Sequence, residues 1–258
     1  MTTITILGLG EAGRLYARGL REAGAYVRGY DPHHELGDPD VAQFADLDDA
    51  LAGAEVVISL VGGAAAASVA RDALPAMASS AVYADLNTAS PALKQEIEAF
   101  AVAHGVAMAD VAVLAPVPRA GHRTELIASG EGARMFAERL GPFGVPVEVL
   151  DAGAGAAARL RLLRSVFMKG LAALVIESVG AARAIGAEEW LREQLAQELG
   201  VNGRERVDRL VEGTHRHAAR REVEVRAAMA EIEASGQPAD MTRATLSWLR
   251  RIADAQKG

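Results

Sequence analysis

Short apolar runs alternate with amphipathic segments through the first half of the chain. Residues 3–7 form the first apolar run, and apolar positions then recur at helical spacing until Gly24 ends the pattern. Further strand-like runs lie at residues 55–61, 81–86, 106–113, 125–129 and 145–150. Helical patterns separate several of them, at residues 46–53, 91–104 and 132–140. The alternation predicts an α/β domain with a doubly wound parallel sheet covered by helices on both faces.

The pattern changes near residue 151, where a short segment rich in glycine and alanine begins. No strand pattern follows, and helices are predicted at residues 156–185, 187–199, 204–211, 214–234 and 240–254. The first of these is apolar nearly all round its middle, so we expect it to be buried inside its domain or against a second subunit. Two domains are therefore predicted, an α/β domain over residues 1–150 and an all-helical domain over residues 151–258, joined by this long helix.

A glycine motif of the form G-x-G-x-x-G lies between the first strand and the first helix. Gly8 allows a tight turn, Gly10 lets a diphosphate approach the bare backbone, and Gly13 lets helix and strand pack closely. The helix amino end then offers unpaired N–H groups to an anion. The second strand, residues 26–30, is followed by an acid where a carboxylate accepts hydrogen bonds from a ribose diol. The motif predicts a dinucleotide site formed by Gly8, Leu9, Gly10, Glu11, Ala12, Gly13 and Asp31.

Two later strands end in segments that fit the same site. Ligands of open α/β sheets bind beyond the carboxyl ends of the strands. Val61 and Gly62 end one of these strands and Asn87 follows the next, so we expect all three along the cofactor path.

Composition narrows the class of protein. The net charge of −7 argues against a general nucleic-acid binder, and the absence of cysteine excludes disulfides, thiolate metal sites and cysteine nucleophiles. His215 and His217 are two residues apart and point to different sides of a helix, which argues against a metal site there. The apolar stretch at residues 64–70 is too short to cross a bilayer, and we expect no membrane span and no leader. A cytoplasmic protein is the expectation.

Six segments together resemble the β-hydroxyacid dehydrogenase and 6-phosphogluconate dehydrogenase superfamily. They are the N-terminal motif and residues 54–61, 85–91, 110–117, 164–170 and 215–221. The last two are similar to the branch whose C-terminal domain is known only as phosphogluconate dehydrogenase-like. The resemblance implies a Rossmann domain, hydride transfer between a nicotinamide ring and a small alcohol, carbonyl or imine in a cleft between the domains, and Asn87 and Thr88 beside the nicotinamide. It also implies a homodimer with the long helix in its interface.

The chain departs from the better-known members of that superfamily. Where they carry a serine and glycines in the substrate loop, Leu114-Ala115-Pro116 stand here, and Arg161 and Arg164 take the positions of their catalytic lysine and asparagine. Arginine stays protonated, so it can polarise a carbonyl or hold a carboxylate but is a poor proton shuttle. Lys169 lies eight residues after Arg161, about 80° further round the helix, and could enter the same cleft.

These three residues are the catalytic candidates, each with a structural alternative. Lys169 also fits a lysine whose stem lies along apolar surface at an interface, and the arginines also fit a solvated helix face. As a catalytic group, Lys169 would exchange protons with the substrate because desolvation lowers its pKa.

The charge of Asp31 favours NAD over NADP, because a carboxylate repels a 2′-phosphate, although His33 and His34 leave NADP open. The hypothesis is an NAD(P)-dependent oxidoreductase acting on a small, anionic, hydroxyacid-like substrate. Two alternatives remain. One is an imine reductase-like enzyme, which needs no proton donor at nitrogen. The other is a dinucleotide-binding regulatory protein without turnover.

Overall fold

The computed structural model describes residues 2–256, and its first half is built on one eight-stranded sheet. The strand order is β3-β2-β1-β4-β5-β6-β7-β8, and every neighbouring pair is parallel except β6 and β7. The strands are β1 Thr3–Leu7, β2 Tyr26–Tyr30, β3 Ala42–Phe44, β4 Val56–Ser59, β5 Val82–Asp85, β6 Ala107–Val113, β7 Leu126–Ser129 and β8 Val147–Val149. The order reverses between β1 and β4, which confirms the predicted doubly wound fold.

Helices cover both faces of this sheet. They are α1 Glu11–Glu22, α2 Leu47–Leu51, α3 Ala66–Ala73, α4 Pro91–Ala103 and α5 Ala133–Leu140. Successive strand residues point to opposite faces, so Val56 and Ile58 join one buried cluster while Val57 joins the other. Helix α4 begins as predicted, because Ser90 accepts a hydrogen bond from the Leu93 N–H and Pro91 occupies the first helical position.

The rest of the described chain is helical, as predicted. The helices are α6 Ala156–Ala184, α7 Glu188–Glu198, α8 Gly203–Arg216, α9 Ala218–Ala234 and α10 Asp240–Asp254. The chain divides into two compact units, the first ending at Arg161 and the second beginning at Leu162. This division falls inside α6. In the second unit, one face of α6 packs Ala172, Val175 and Val179 against α8.

Three sequence predictions need correction. The edge strand β3 was not predicted, because its three residues are mostly exposed and have no apolar alternation. The break between α8 and α9 lies at His217 rather than near residue 212, since a glycine at position 213 is tolerated inside a helix. Finally, α6 is long and apolar enough to cross a membrane, with a window of mean hydropathy 1.5 that is 39% buried. The interpretation that no apolar run is long enough to cross a bilayer is therefore wrong for this helix, whereas the absence of a membrane span stays a prediction. One helix of this kind is weak evidence of a membrane span, since core helices of soluble proteins pass the same test.

Candidate active site

The turn between β1 and α1 uses two of its glycines for packing. Gly8 has a φ of +92°, and a Cβ there would lie 2.7 Å from the carbonyl oxygen of Leu60. A Cβ on Gly13 would lie 1.9 Å from the carbonyl oxygen of Gly8. A side chain at either position would therefore displace backbone, so the fold itself requires both glycines.

Gly10 is different, because the protein does not fill the space beside it. A Cβ at Gly10 would have no neighbour within 4 Å, and the residue has a φ of −64°. Among the described residues, no side chain caps the amino end of α1. Helix geometry leaves the first-turn N–H groups of Glu11, Ala12 and Gly13 without intrahelical partners, and they lie at the positive end of the helix dipole. This arrangement fits a diphosphate at the predicted position.

Asp31 lies just after β2, and its carboxylate contacts the glycine turn. Its Oδ2 accepts a hydrogen bond from the Leu9 N–H at 2.7 Å, and its Oδ1 accepts from the N–H groups of His33 and His34 at 2.8 and 3.1 Å. The His34 Nδ1 also lies 3.1 Å from Oδ2. Burial by itself would raise the pKa of Asp31, but these hydrogen bonds and the charge of His34 hold it below its usual value. The acid is thus ionised, as the predicted contact with a ribose diol requires.

Asn87 ties together the carboxyl ends of β4 and β5. Its Nδ2 donates hydrogen bonds to Asp85 Oδ1 at 2.6 Å and to Ser59 Oγ at 2.9 Å, while its Oδ1 accepts from the Gly62 N–H at 2.7 Å. The loop after β4 also approaches Thr88 closely, since a Cβ on Gly63 would lie 2.2 Å from the Thr88 carbonyl oxygen. The Asn87 side chain therefore shapes these two loops, a role that the sequence does not reveal.

A small hollow opens at this edge of the sheet within the first unit. Asn87, Thr88, Lys94, Asp110 and Arg161 are among the residues that line it. The structure thus brings Arg161, from the first turns of α6, to the residues predicted to lie beside the nicotinamide. A fixed positive charge in such a hollow suits a carboxylate or a carbonyl oxygen.

Arg164 and Lys169, the other two catalytic candidates, belong to the second unit. The Lys169 Nζ lies 2.7 Å from Glu224 Oε2 and donates a hydrogen bond to Ser165 Oγ at 2.9 Å. Both members of this ion pair are mostly buried, with side chains 17% and 13% exposed. These contacts fit the structural alternative, in which Lys169 forms an ion pair within the second unit.

Two residues that line the hollow were not predicted as functional residues. They are Lys94 and Asp110, and Asp110 was recognised only as part of a loop motif. Lys94 is 1% exposed, and its Nζ lies 3.3 Å from a carboxylate oxygen of Asp85 and 3.3 Å from one of Asp110. A signal was present, since Lys94 shares the buried face of α4 with Ile97 and Ala101. A lysine on an apolar stripe calls for a charged partner, but the sequence does not identify it.

The fold and this edge of the sheet define the class: an α/β dinucleotide-binding domain followed by a helical domain. A family model described as the NAD binding domain of 6-phosphogluconate dehydrogenase matches residues 3–142, and the chain belongs to this family. Residues 182–252 match a domain of unknown function, DUF1932. The resemblance predicted from the sequence is confirmed, and with it a nicotinamide dinucleotide as the cofactor of the family and oxidoreductase as its class.

The similar proteins have different assigned activities or none, so they do not define the substrate of this protein. The structure of a conserved hypothetical protein from Sinorhizobium meliloti 1021 is 32% identical, with a TM-score of 0.76 over 97% of this chain and 88% of that one. A probable 3-hydroxyisobutyrate dehydrogenase of Mycobacterium bovis is 32% identical over 169 residues, which are 62% of this chain and 58% of the relative. An imine reductase from Aspergillus terreus shares the fold, with a TM-score of 0.67 over 100% of this chain and 95% of that one at 18% identity.

Proposed function

We propose that this protein transfers a hydride between a nicotinamide dinucleotide and a small anionic alcohol or carbonyl substrate. The observation that carries the proposal is Arg161, which lines the same hollow as Asn87 and Thr88. The guanidinium remains charged at all working pH values and can bind a carboxylate through two parallel hydrogen bonds. The probable 3-hydroxyisobutyrate dehydrogenase among the relatives supports a substrate that carries both a hydroxyl and a carboxylate.

The residues divide the work between binding and polarisation. The glycine turn holds the diphosphate and Asp31 receives the ribose, while the nicotinamide, when bound, supplies the carbon that gives or accepts the hydride. Arg161 fixes the substrate or stabilises negative charge that develops on its oxygen. Because Lys169 is paired with Glu224 in the second unit, we assign the proton to water held near Arg161 rather than to Lys169.

A short hydroxyacid panel tests this assignment. Wild-type protein should reduce NAD⁺ with 3-hydroxyisobutyrate or another short hydroxyacid, and Arg161→Met should raise KM for that acid by at least about tenfold, the equivalent of about 1.4 kcal/mol. NADH affinity should stay within about twofold of wild type, because Arg161 is assigned to the substrate. An unchanged KM in Arg161→Met would refute the substrate role of Arg161.

We further propose that NAD is preferred over NADP. The support is the ionised Asp31 carboxylate after β2, which would repel a 2′-phosphate if the ribose binds at the predicted position. Fluorescence titration of NADH and NADPH should give the lower Kd for NADH, and Asp31→Asn should narrow the difference. Tighter NADPH binding by wild type would show that His33 and His34, rather than Asp31, determine the choice.

An imine reductase-like activity is the second candidate. Arg161 stands where the superfamily has a catalytic lysine, and a protonated imine needs no proton donor at nitrogen. Turnover of cyclic imines in preference to the matching ketones and hydroxyacids would favour it. Tight NADH binding without turnover of either substrate class would instead indicate a regulatory dinucleotide-binding protein.

A homodimer is also proposed. The support is the exposed apolar side of α6, where Phe167 is 68% and Leu174 51% exposed. Light scattering should give twice the chain mass, and Phe167→Glu should shift the protein toward monomer. A monomeric wild-type protein at micromolar concentration would refute this assembly.

A further inference from the structure

A buried cluster of three charges lies at the back of the hollow. The Lys94 Nζ donates a hydrogen bond to the Asp85 backbone carbonyl at 2.6 Å and lies 3.3 Å from Asp85 Oδ2 and from Asp110 Oδ1. The side chains are 1% exposed for Lys94 and 0% for each acid. Buried charges are costly unless paired, so the cluster needs a reason to be there.

One acid of the cluster holds the loop beside the nicotinamide position. Asp85 Oδ1 accepts hydrogen bonds from both the backbone N–H and the Nδ2 of Asn87, at 2.9 and 2.6 Å. Asn87 in turn accepts from the Gly62 N–H through its Oδ1. Lys94 forms an ion pair with the Oδ2 of the same carboxylate. Through Asp85 it therefore supports Asn87 and the carboxyl ends of β4 and β5.

The other acid holds the amino end of α6. Asp110 Oδ2 accepts hydrogen bonds from the N–H groups of Gly155 and Ala158 at 2.9 and 3.1 Å, and from Ser129 Oγ at 3.2 Å. The positive end of the α6 dipole thus compensates the carboxylate that a single ammonium leaves in excess. Arg161 follows Ala158 by one helical turn, so this contact sets the position of its backbone.

We propose that Lys94 is a positioning residue that fixes the Asn87–Thr88 loop relative to Arg161. Lys94 forms ion pairs with both Asp85 and Asp110. Lys94 does not touch the reacting atoms. It acts through the two acids, and one of them positions the loop while the other positions the arginine. The inference rests on the proposed function, because it assigns the nicotinamide to this loop.

The test compares NADH with ADP-ribose, which is the same molecule without its nicotinamide. Lys94→Met keeps the length of the side chain and removes its charge. NADH should bind this variant at least about tenfold more weakly, whereas ADP-ribose, which lacks the nicotinamide, should bind within about twofold of wild type. For the Arg161-dependent hydroxyacid, kcat should also fall, because loop and arginine are no longer held together.

Arg139→Met provides a matched control. Arg139 also donates hydrogen bonds to backbone carbonyls of this sheet, those of Glu55 and Ser80, but at the amino ends of β4 and β5. The Arg139→Met protein should lose less stability than Lys94→Met, because the hydrogen bonds of Arg139 are exposed, and it should bind both nucleotides as wild type does. A parallel loss of NADH affinity in both variants would show general destabilisation and overturn the proposal.

A second variant separates the positioning role of Lys94 from the net charge of the cluster. Lys94→Met with Asp110→Asn removes one positive and one negative charge, so the net charge of the cluster returns to that of wild type. Its stability should exceed that of the single variant, while its NADH affinity should remain low because Asp85 still lacks its partner. This double variant carries the comparison if the single one does not fold. Wild-type NADH affinity in either variant would refute the role of Lys94. Failure of wild-type protein to bind either nucleotide would instead refute the proposed function itself.

Discussion

Replacing Gly10 and Gly13 by alanine, one at a time, should separate binding from folding within one turn. Gly13→Ala would place a Cβ 1.9 Å from the Gly8 carbonyl oxygen, and forced backbone movement of this kind costs about 1–3 kcal/mol of stability. Gly10→Ala meets no protein atom within 4 Å, and its extended backbone is open to alanine. Alanine there gains about 0.4–1 kcal/mol from the unfolded chain. It loses several tenths as a poorer N-cap, so stability should change by less than about 1 kcal/mol.

Binding should rank the two variants differently from stability. Because a Cβ at Gly10 would occupy the space through which a diphosphate reaches the α1 amides, the Kd for NADH should rise by at least about tenfold, which equals about 1.4 kcal/mol. Urea unfolding and NADH fluorescence titration on the same samples give both quantities. If Gly10→Ala binds NADH as tightly as wild type, the diphosphate does not lie against this turn. If it instead unfolds like Gly13→Ala, its glycine serves packing.

Three further predictions concern stability. Burial lowers the pKa of His122 below its ordinary 6.5, so the unfolded chain binds a proton that the folded one does not as the pH falls below about 6.5. The free energy of unfolding, measured with urea, should therefore drop between pH 7.5 and pH 5.5, and it should depend less on pH in His122→Gln. The same pH dependence in wild type and variant would contradict this. Lys169→Met and Glu224→Gln should each destabilise the second unit, and a double-mutant cycle should give a coupling of about 1 kcal/mol, whereas additive losses would mean the ion pair contributes nothing. Ser129→Ala should cost about 1 kcal/mol in thermal or urea unfolding, because its Oγ accepts from the Ala157 N–H at the start of α6; an unchanged midpoint would count against this cap.

The parts predicted from sequence are those that local patterns control. The glycines of the first turn and the acid after β2 are specified by backbone geometry within a few residues, and the strand and helix order follows from periodicity. Strand β3 was missed because an exposed edge of three residues carries no such pattern. The helix break at His217 was misplaced because no residue near position 212 forces a helix to end.

The missing parts of the site depend on contacts between distant segments. Lys94 on α4 forms an ion pair with Asp110 on β6. Asp110 accepts a hydrogen bond from the N–H of Gly155, more than forty positions later in the chain. No periodicity connects these residues, although a lysine on a buried face signals that a partner exists. Likewise, the sequence predicts that Asn87 lies beside the cofactor but does not show that its side chain forms hydrogen bonds with Asp85, Ser59 and Gly62.

The amino end of α6 decides where the chain can be cut. Truncation after residue 150 would remove the N–H donors of Gly155, Ala157 and Ala158, leaving acceptors on Asp110 and Ser129 unsatisfied. It would also remove Arg161. Folded nucleotide-binding fragments should therefore extend beyond Ala158, and substrate-binding ones beyond Arg161. Fragments that end near residue 150 should aggregate or express poorly even though all eight strands are present.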